Sequence, residues 1–142
     1  MIIPDINLLI YAHNKRAPQH EKAKAWWEGL LNGRVPVGLP WVCMSGFLRL
    51  MTHPRVLSHP LDVGEAVAHV RSWLAQEPVR IIHPGAKFES LFLEYLILLG
   101  TAGNLTTDAQ LAALAVEHQG ELHSTDSDFL RFPSLRWINP LD

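Results

Sequence analysis

Short β-branched apolar runs alternate with longer helix-forming segments along the whole chain, and this alternation restricts the fold more than any other feature. Met1–Pro4, Val35–Leu39, Val79–His83, residues 121–125 and Leu135–Ile138 have the length and composition of buried strands. Between them the apolar spacing predicts helices over Pro18–Leu31, Pro40–Met51, Lys87–Leu99 and residues 107–118. Another is opened by Leu61-Asp62 and runs to Leu74. The segment Ile6–Tyr11 is too apolar for a surface helix and belongs near the centre. Strands that alternate with helices imply a mostly parallel sheet covered on both faces, here an α/β fold in a single domain, 1–142.

Local signals punctuate this pattern. Asp62 is placed to cap its helix with Glu65 as capping-box partner. Thr106 or Thr107 can cap the helix over 107–118, and Gly120 stands where that helix should stop. Asp5 ends the first strand and can cap the segment that follows.

The acids at these junctions draw attention. Asp5 closes the first strand, Asp108 falls in the first turn of a helix, and Asp126 and Asp128 follow the strand at 121–125. In an open α/β sheet, ligands bind outside the carboxyl ends of strands. Helix starts and strand ends can share that rim, so the four carboxylates can converge. Clustered carboxylates repel one another at low dielectric, and a hard divalent cation with oxygen ligands, Mg²⁺ or Mn²⁺, relieves the repulsion. Each acid also has a plainer use. A lone Asp at a helix start is commonly a cap, and Asp126 and Asp128 can cap a short turn over Phe129–Phe132.

Composition closes off several other functions. An apolar fraction of 48% with 18% charged residues is that of a globular domain. The longest apolar stretch, Leu91–Leu99, contains Glu94 and is too short to span a bilayer. The single cysteine, Cys43, rules out an internal disulfide and suits a reducing cytoplasm. A net charge of −2 is not the basic footprint of a stand-alone nucleic-acid binder. The first 60 residues are locally basic, however, with Lys15, Arg16, Lys22, Lys24, Arg34, Arg49 and Arg55 against Asp5, Glu21 and Glu28. A basic wall beside an acidic, metal-loaded pocket can hold a phosphate backbone. The eight histidines are scattered, with no His-Glu-x-x-His and no cysteine partners. There is also no Gly-rich phosphate loop and no Gly-x-Ser-x-Gly elbow.

Several motifs taken together resemble one family. They are Asp5-Ile6-Asn7 after the first strand, Phe47-Leu48-Arg49 on a helix, Thr107-Asp108-Ala109-x-Leu111-Ala112-Ala113-Leu114-Ala115, and Thr125-x-x-Asp128-Phe129. With the ending Arg131-Phe132-Pro133 and Trp137-x-Asn139-Pro140-Leu141, the chain resembles a PIN-domain protein, specifically a VapC-type ribonuclease toxin of a toxin–antitoxin pair. The resemblance covers nearly the whole chain. It implies a three-layer α/β/α sandwich and a Mg²⁺- or Mn²⁺-dependent endoribonuclease acting on single-stranded or loop RNA. It also implies a VapB-like antitoxin and a homodimer, while the cytoplasmic location rests on the lone Cys43. Carried over residue by residue, Asp5, Asp108 and Asp126 would bind metal, with Asp128 beside them. Asn7 and Thr125 would support them by hydrogen bonds, and Arg49 would contact substrate or antitoxin. One position departs from the pattern: the family usually has Glu directly before Phe-Leu-Arg, and this chain has Gly46. The alternative expectation is therefore a catalytically weakened module that mainly binds antitoxin or RNA. Another Mg²⁺ phosphotransfer fold, of the receiver or haloacid-dehalogenase kind, expects Asp-x-Asp after the first strand, whereas Asp5 is followed by Ile6-Asn7.

Overall fold

The sheet holds five strands, all parallel, in the spatial order β3-β2-β1-β4-β5. A computed structural model describes all of residues 1–142. The strands are β1 Ile2–Pro4, β2 Val37–Pro40, β3 Val79–Ile82, β4 Glu121–His123 and β5 Arg136–Ile138. The helices are α1 Ile6–His13, α2 His20–Leu31, α3 Trp41–Met51, α4 Val63–Leu74, α5 Phe88–Leu99 and α6 Thr106–Glu117. Short 3₁₀ turns occupy Gly103–Leu105 and Ser127–Arg131. The sheet is thus wholly parallel, a stricter arrangement than the mostly parallel one expected.

The strand order dictates where the helices go. Parallel crossovers are right-handed, so the face a helix covers depends on the direction in which the chain steps across the sheet. From β1 the chain steps to β2 and then to β3 in one direction, carrying α1–α4 on one face. From β3 it returns across the sheet to β4, which puts α5 and α6 on the other. Packing agrees: α1 lies against α2 and α3, α3 against α4, and α5 against α6. The result is a three-layer α/β/α sandwich. Stepping reverses between β1 and β4, and the open end of a parallel sheet binds ligands at such a reversal.

Burial follows from this layering. Leu8 and Leu9 of α1 are fully buried, and Ile6, Ile10 and Ala12 are nearly so, as the apolar composition of the segment required. Phe47 of α3 meets Trp73 of α4 edge-on at 4.6 Å between ring centroids, and Trp73 meets Trp27 of α2 at 5.5 Å. Such offset and edge-on pairs are the favoured aromatic geometry. Ala109, Ala112, Ala113 and Ala115 are all buried, which lets α6 lie close to the sheet and to α5.

Two helix ends differ from expectation. No side chain caps α6. Thr106 is its first residue, and its hydroxyl donates instead to the Gly103 carbonyl at 2.9 Å. The left-handed residue after α6 is Gln119, with φ 54°, and not Gly120. Gly120 is small for a different reason: a Cβ there would lie 3.2 Å from both Ile3 Cδ1 and the Met1 carbonyl oxygen, where the chain turns into β4 beside β1. At α4 the cap is as expected on one side: Asp62 Oδ1 accepts from the Glu65 amide at 2.8 Å.

Candidate active site

β1 and β4 lie side by side with Pro4 opposite His123. The Asp5 amide extends this ladder one step by donating to the His123 carbonyl at 2.9 Å. That register places the Asp5 side chain beside Ser124. The Ser124 hydroxyl donates to Asp5 Oδ2 at 2.7 Å and accepts from the Asp126 amide at 3.0 Å. One buried hydroxyl therefore joins the ends of the two central strands. Asp5 is itself buried, 5% exposed, at the N-terminal end of α1.

The chain beyond β4 is fixed by β5. The Ser124 amide donates to the Ile138 carbonyl at 3.0 Å, and the Trp137 indole donates to the Ser124 carbonyl at 3.0 Å. The C-terminal Trp137-x-Asn139 motif thus holds the backbone of the serine that holds Asp5. Beyond it, Asp126 Oδ1 accepts from the Asp128 amide at 2.9 Å and caps the turn Ser127–Arg131. The capping role weighed from the sequence is real for Asp126, and it leaves Oδ2 uncommitted. Asp128 is half-exposed and lies 3.7 Å from Arg131.

Electrostatics link these acids to α6. Asp108 is half-buried in the first turn of that helix. Its carboxyl is pushed up to about 7, first by burial and then by the charges of Asp5, Asp126 and Asp128. Burial also raises the Asp5 carboxyl, opposed by the Ser124 hydrogen bond and the amides of Ile6 and Asn7 and reinforced by Asp126. Asp108 thus feels the other three aspartates, and Asp5 feels Asp126, at one end of the sheet.

The other sequence candidates are placed differently. Asn7 is exposed at the start of α1, and its side chain bonds to nothing within the chain. Thr125 makes no side-chain hydrogen bond; the support expected of it comes from its neighbour Ser124. A single sequence could not distinguish the two hydroxyls, because the register between β1 and β4 decides which one faces Asp5. Arg49 is exposed on α3 and takes part in neither ion pair of the molecule. Gly46 is buried against α1, and a Cβ there would lie 2.5 Å from Ile6 Cδ1. The first carbon of any side chain at this position would meet the flexible tip of Ile6, which would have to shift. A cavity of about 500 Å³ between α1, α2 and α4 is bordered by His13, His69 and Trp73 and by none of the four aspartates. Burial lowers His13 there to about 4, which keeps the imidazole neutral.

The donor set is all oxygen, which suits Mg²⁺ or Mn²⁺ over softer ions. No three His, Cys, Asp or Glu side chains stand close enough to clasp one ion directly. Mg²⁺ ordinarily takes one or two carboxylates and keeps several waters. A rim where one carboxyl is raised by three others fits such an ion.

The sequence matches the PIN domain family over residues 2–135. It is 48% identical over 141 residues to Ribonuclease VapC33 of Mycobacterium tuberculosis, covering 99% of both chains. Among solved structures, VapBC2 from Rickettsia felis, bound to a DNA fragment from its promoter, superposes with a TM-score of 0.71 at 20% identity over 98% of each chain. The sarcin–ricin-loop-cleaving toxin VapC20 of M. tuberculosis gives a TM-score of 0.69 at 22% identity over 96% of this chain and 99% of that one.

The electrostatics predict how stability varies with pH. An acid whose pKa is higher folded than unfolded binds more protons in the native state between the two values. Metal-free protein should therefore lose stability as pH rises from 3.8 towards about 7. Asp108→Asn should be more stable than the parent at neutral pH and show a flatter profile in urea melts with EDTA. Equal slopes for the two proteins would show that Asp108 is not under this strain.

Proposed function

Because the chain belongs to the PIN-domain family, in its VapC branch, we propose that it is the endoribonuclease toxin of a VapBC-type toxin–antitoxin pair and that Asp5, Asp108 and Asp126 hold its metal, in part through the waters the ion keeps, with Asp128 at the edge. The observation that carries this reading is the meeting of Asp5 and Asp126 on one buried serine hydroxyl at the ends of β1 and β4, with the repulsion that acids of these two loops exert on Asp108. A fold stores such repulsion where a cation is to be held. The 48% identity to a named ribonuclease over almost the full chain supports the same activity.

Each residue has a definable task. Ser124 fixes one oxygen of Asp5, so the carboxylate is oriented before anything binds. The Asp128 amide fixes one oxygen of Asp126 and leaves the other to face the rim. Asp108 comes from a separate helix and closes the third side. Asn7 offers a free amide to substrate or to ordered water, and Thr125 a free hydroxyl. A bound Mg²⁺ or Mn²⁺ supplies Lewis-acid charge to the phosphate and lowers the pKa of water. In the reaction, water oxygen bonds to phosphorus, the bond from phosphorus to the 3′ oxygen breaks, and that oxygen gains a proton. The products carry 5′-phosphate and 3′-hydroxyl ends.

A VapB-like antitoxin is the natural protein partner, since VapBC2 of R. felis was solved as a toxin–antitoxin complex. The second partner is another copy of this chain. On α5, Leu93, Ile97 and Leu98 are 48%, 80% and 60% exposed. Leu93 and Ile97, four apart, share one outward face and Leu98 borders it beyond the exposed Glu94. No helix is long and apolar enough to cross a membrane.

Purified protein should cleave RNA with Mn²⁺ or Mg²⁺ and stop on addition of EDTA. Asp5→Asn or Asp108→Asn should abolish cleavage at matched metal concentration while keeping a folded circular dichroism spectrum; full activity in either variant would reject this site. Gly46→Glu must displace Ile6 Cδ1. Combined with Ile6→Val, which removes that atom for about 0.5–1.5 kcal/mol, it should lower the Mn²⁺ concentration needed for half-maximal cleavage. An unchanged titration would place residue 46 outside the reach of the ion. For the α5 face, Ile97→Glu with Leu98→Glu should convert a dimer into a monomer by light scattering, and a monomeric parent protein would remove that assignment.

A further inference from the structure

Four of the five tryptophans are committed to the fold. Trp27 and Trp73 are buried in the core, the Trp26 indole donates to His123 Nδ1 at 3.0 Å, and the Trp137 indole donates to Ser124. Trp41 is the exception. It is 51% exposed, joins none of the aromatic pairs, and its indole nitrogen bonds to nothing within the chain. An indole carries a large apolar surface, and leaving it in water forgoes its burial.

Its position gives that exposure a use. β1 and β2 are parallel with Ile2 opposite Val37, so the same register carried forward sets Asp5 level with Pro40, the residue before Trp41. Cys43 Sγ lies 3.1 Å from the Pro4 carbonyl oxygen, which confirms that the first turn of α3 stands over the end of β1. Trp41 therefore flanks Asp5 on the β2 side, while Asp126 flanks it on the β4 side.

The exposed side of α3 continues from there. Trp41, Ser45 and Arg49 are spaced four apart and all exposed, whereas Cys43, Met44, Gly46 and Phe47 face the core. The stripe thus offers an aromatic face and an unpaired guanidinium about 12 Å further along the helix, while the Ser45 hydroxyl between them donates to the Trp41 carbonyl. No side chain caps the first turn of α3, so its positive end is also open beside the rim. A strand of nucleic acid approaching four aspartates is repelled by them, and what offsets that repulsion is base stacking and positive charge outside the acidic centre.

We propose that this stripe of α3 is the track for single-stranded RNA next to the scissile bond, with Trp41 stacking on the first flanking base and Arg49 pairing with a phosphate beyond it. The assignment rests on the ribonuclease reading above and adds to it the path of the substrate. Single-stranded RNA is the occupant because stacking needs an unpaired base, and because the stripe starts at the reaction centre.

The test uses a short fluorescein-labelled single-stranded RNA of mixed sequence. Binding is measured in EDTA by anisotropy, and cleavage separately with Mn²⁺. Trp41→Ala should weaken binding and raise KM about tenfold, with kcat within about twofold, and Trp41→Phe should restore most of the loss. Arg49→Ala should weaken binding and reduce the slope of log affinity against log salt by about one. Thermal melts establish that the variants are folded. If wild-type protein cleaves RNA and folded Trp41→Ala has unchanged KM and affinity, the track is overturned and the ribonuclease reading stands. If wild-type protein binds RNA without cleaving it and Trp41→Ala loses that binding, the track stands and the ribonuclease reading falls. If Trp41→Ala instead breaks the dimer with RNA binding unchanged, the stripe is a protein contact and the proposal is wrong.

Discussion

The hydrogen bond from the Ser124 hydroxyl to the buried Asp5 carboxylate is the interaction on which the rest of the site depends. It spans 119 positions of sequence at a distance of 2.7 Å. It forms only because β1 and β4 are neighbours in the sheet, and it stands where the chain reverses its path across that sheet. A buried carboxylate without a donor would be costly, since burial disfavours its charged form. Ser124 removes part of that cost, and the Asp5 carboxyl is nevertheless raised. The remaining strain is left for whatever binds at the rim.

The two ends of the chain cooperate in this. β1 supplies the acid, β4 supplies the serine, and β5 grips the serine backbone through both its amide and its carbonyl. The Tyr95 hydroxyl donates to the Pro133 carbonyl at 2.6 Å, tying α5 to the segment that leads into β5. The C-terminal residues are thus structural supports of the site, although none of them meets the carboxylates. The crossovers divide the remaining work: α3 brings Trp41 and Arg49 on one side of Asp5, and α6 brings Asp108 from the layer on the opposite face. Separate elements can hold mutually repelling charges at fixed positions because the core, not the charges, sets the spacing. The same core explains Gly46. Ile6 of α1 packs against it so closely that even a Cβ there would displace the isoleucine tip.

Much of the fold was legible in the sequence. All five strands and the helices lie within a few residues of their expected places, because each signal is local: β-branched runs, helical spacing, a proline or glycine at a boundary. Asp62 capped its helix as its neighbours implied. The four aspartates were legible as candidates because each stands at a junction between a strand and a helix or turn. The signals that misled were also local. Thr106 was placed to cap α6, but the 3₁₀ turn before it offers the Gly103 carbonyl to its hydroxyl. Gly120 looked like a helix stop, yet the left-handed turn falls on Gln119 and the glycine is needed for close approach to β1.

What the sequence determined by itself, then, is the alternation of elements and the presence of acids at their ends, since periodicity and capping are properties of a few consecutive residues. The tertiary structure alone decided strand order and register. From these follow the choice of Ser124 over Thr125, the burial of Asp5, the coupling of Asp108 to three distant carboxylates, and the exposure of Trp41 beside them. Each of those depends on contacts between residues far apart in the chain, and no run of neighbouring residues encodes the distance between two strands.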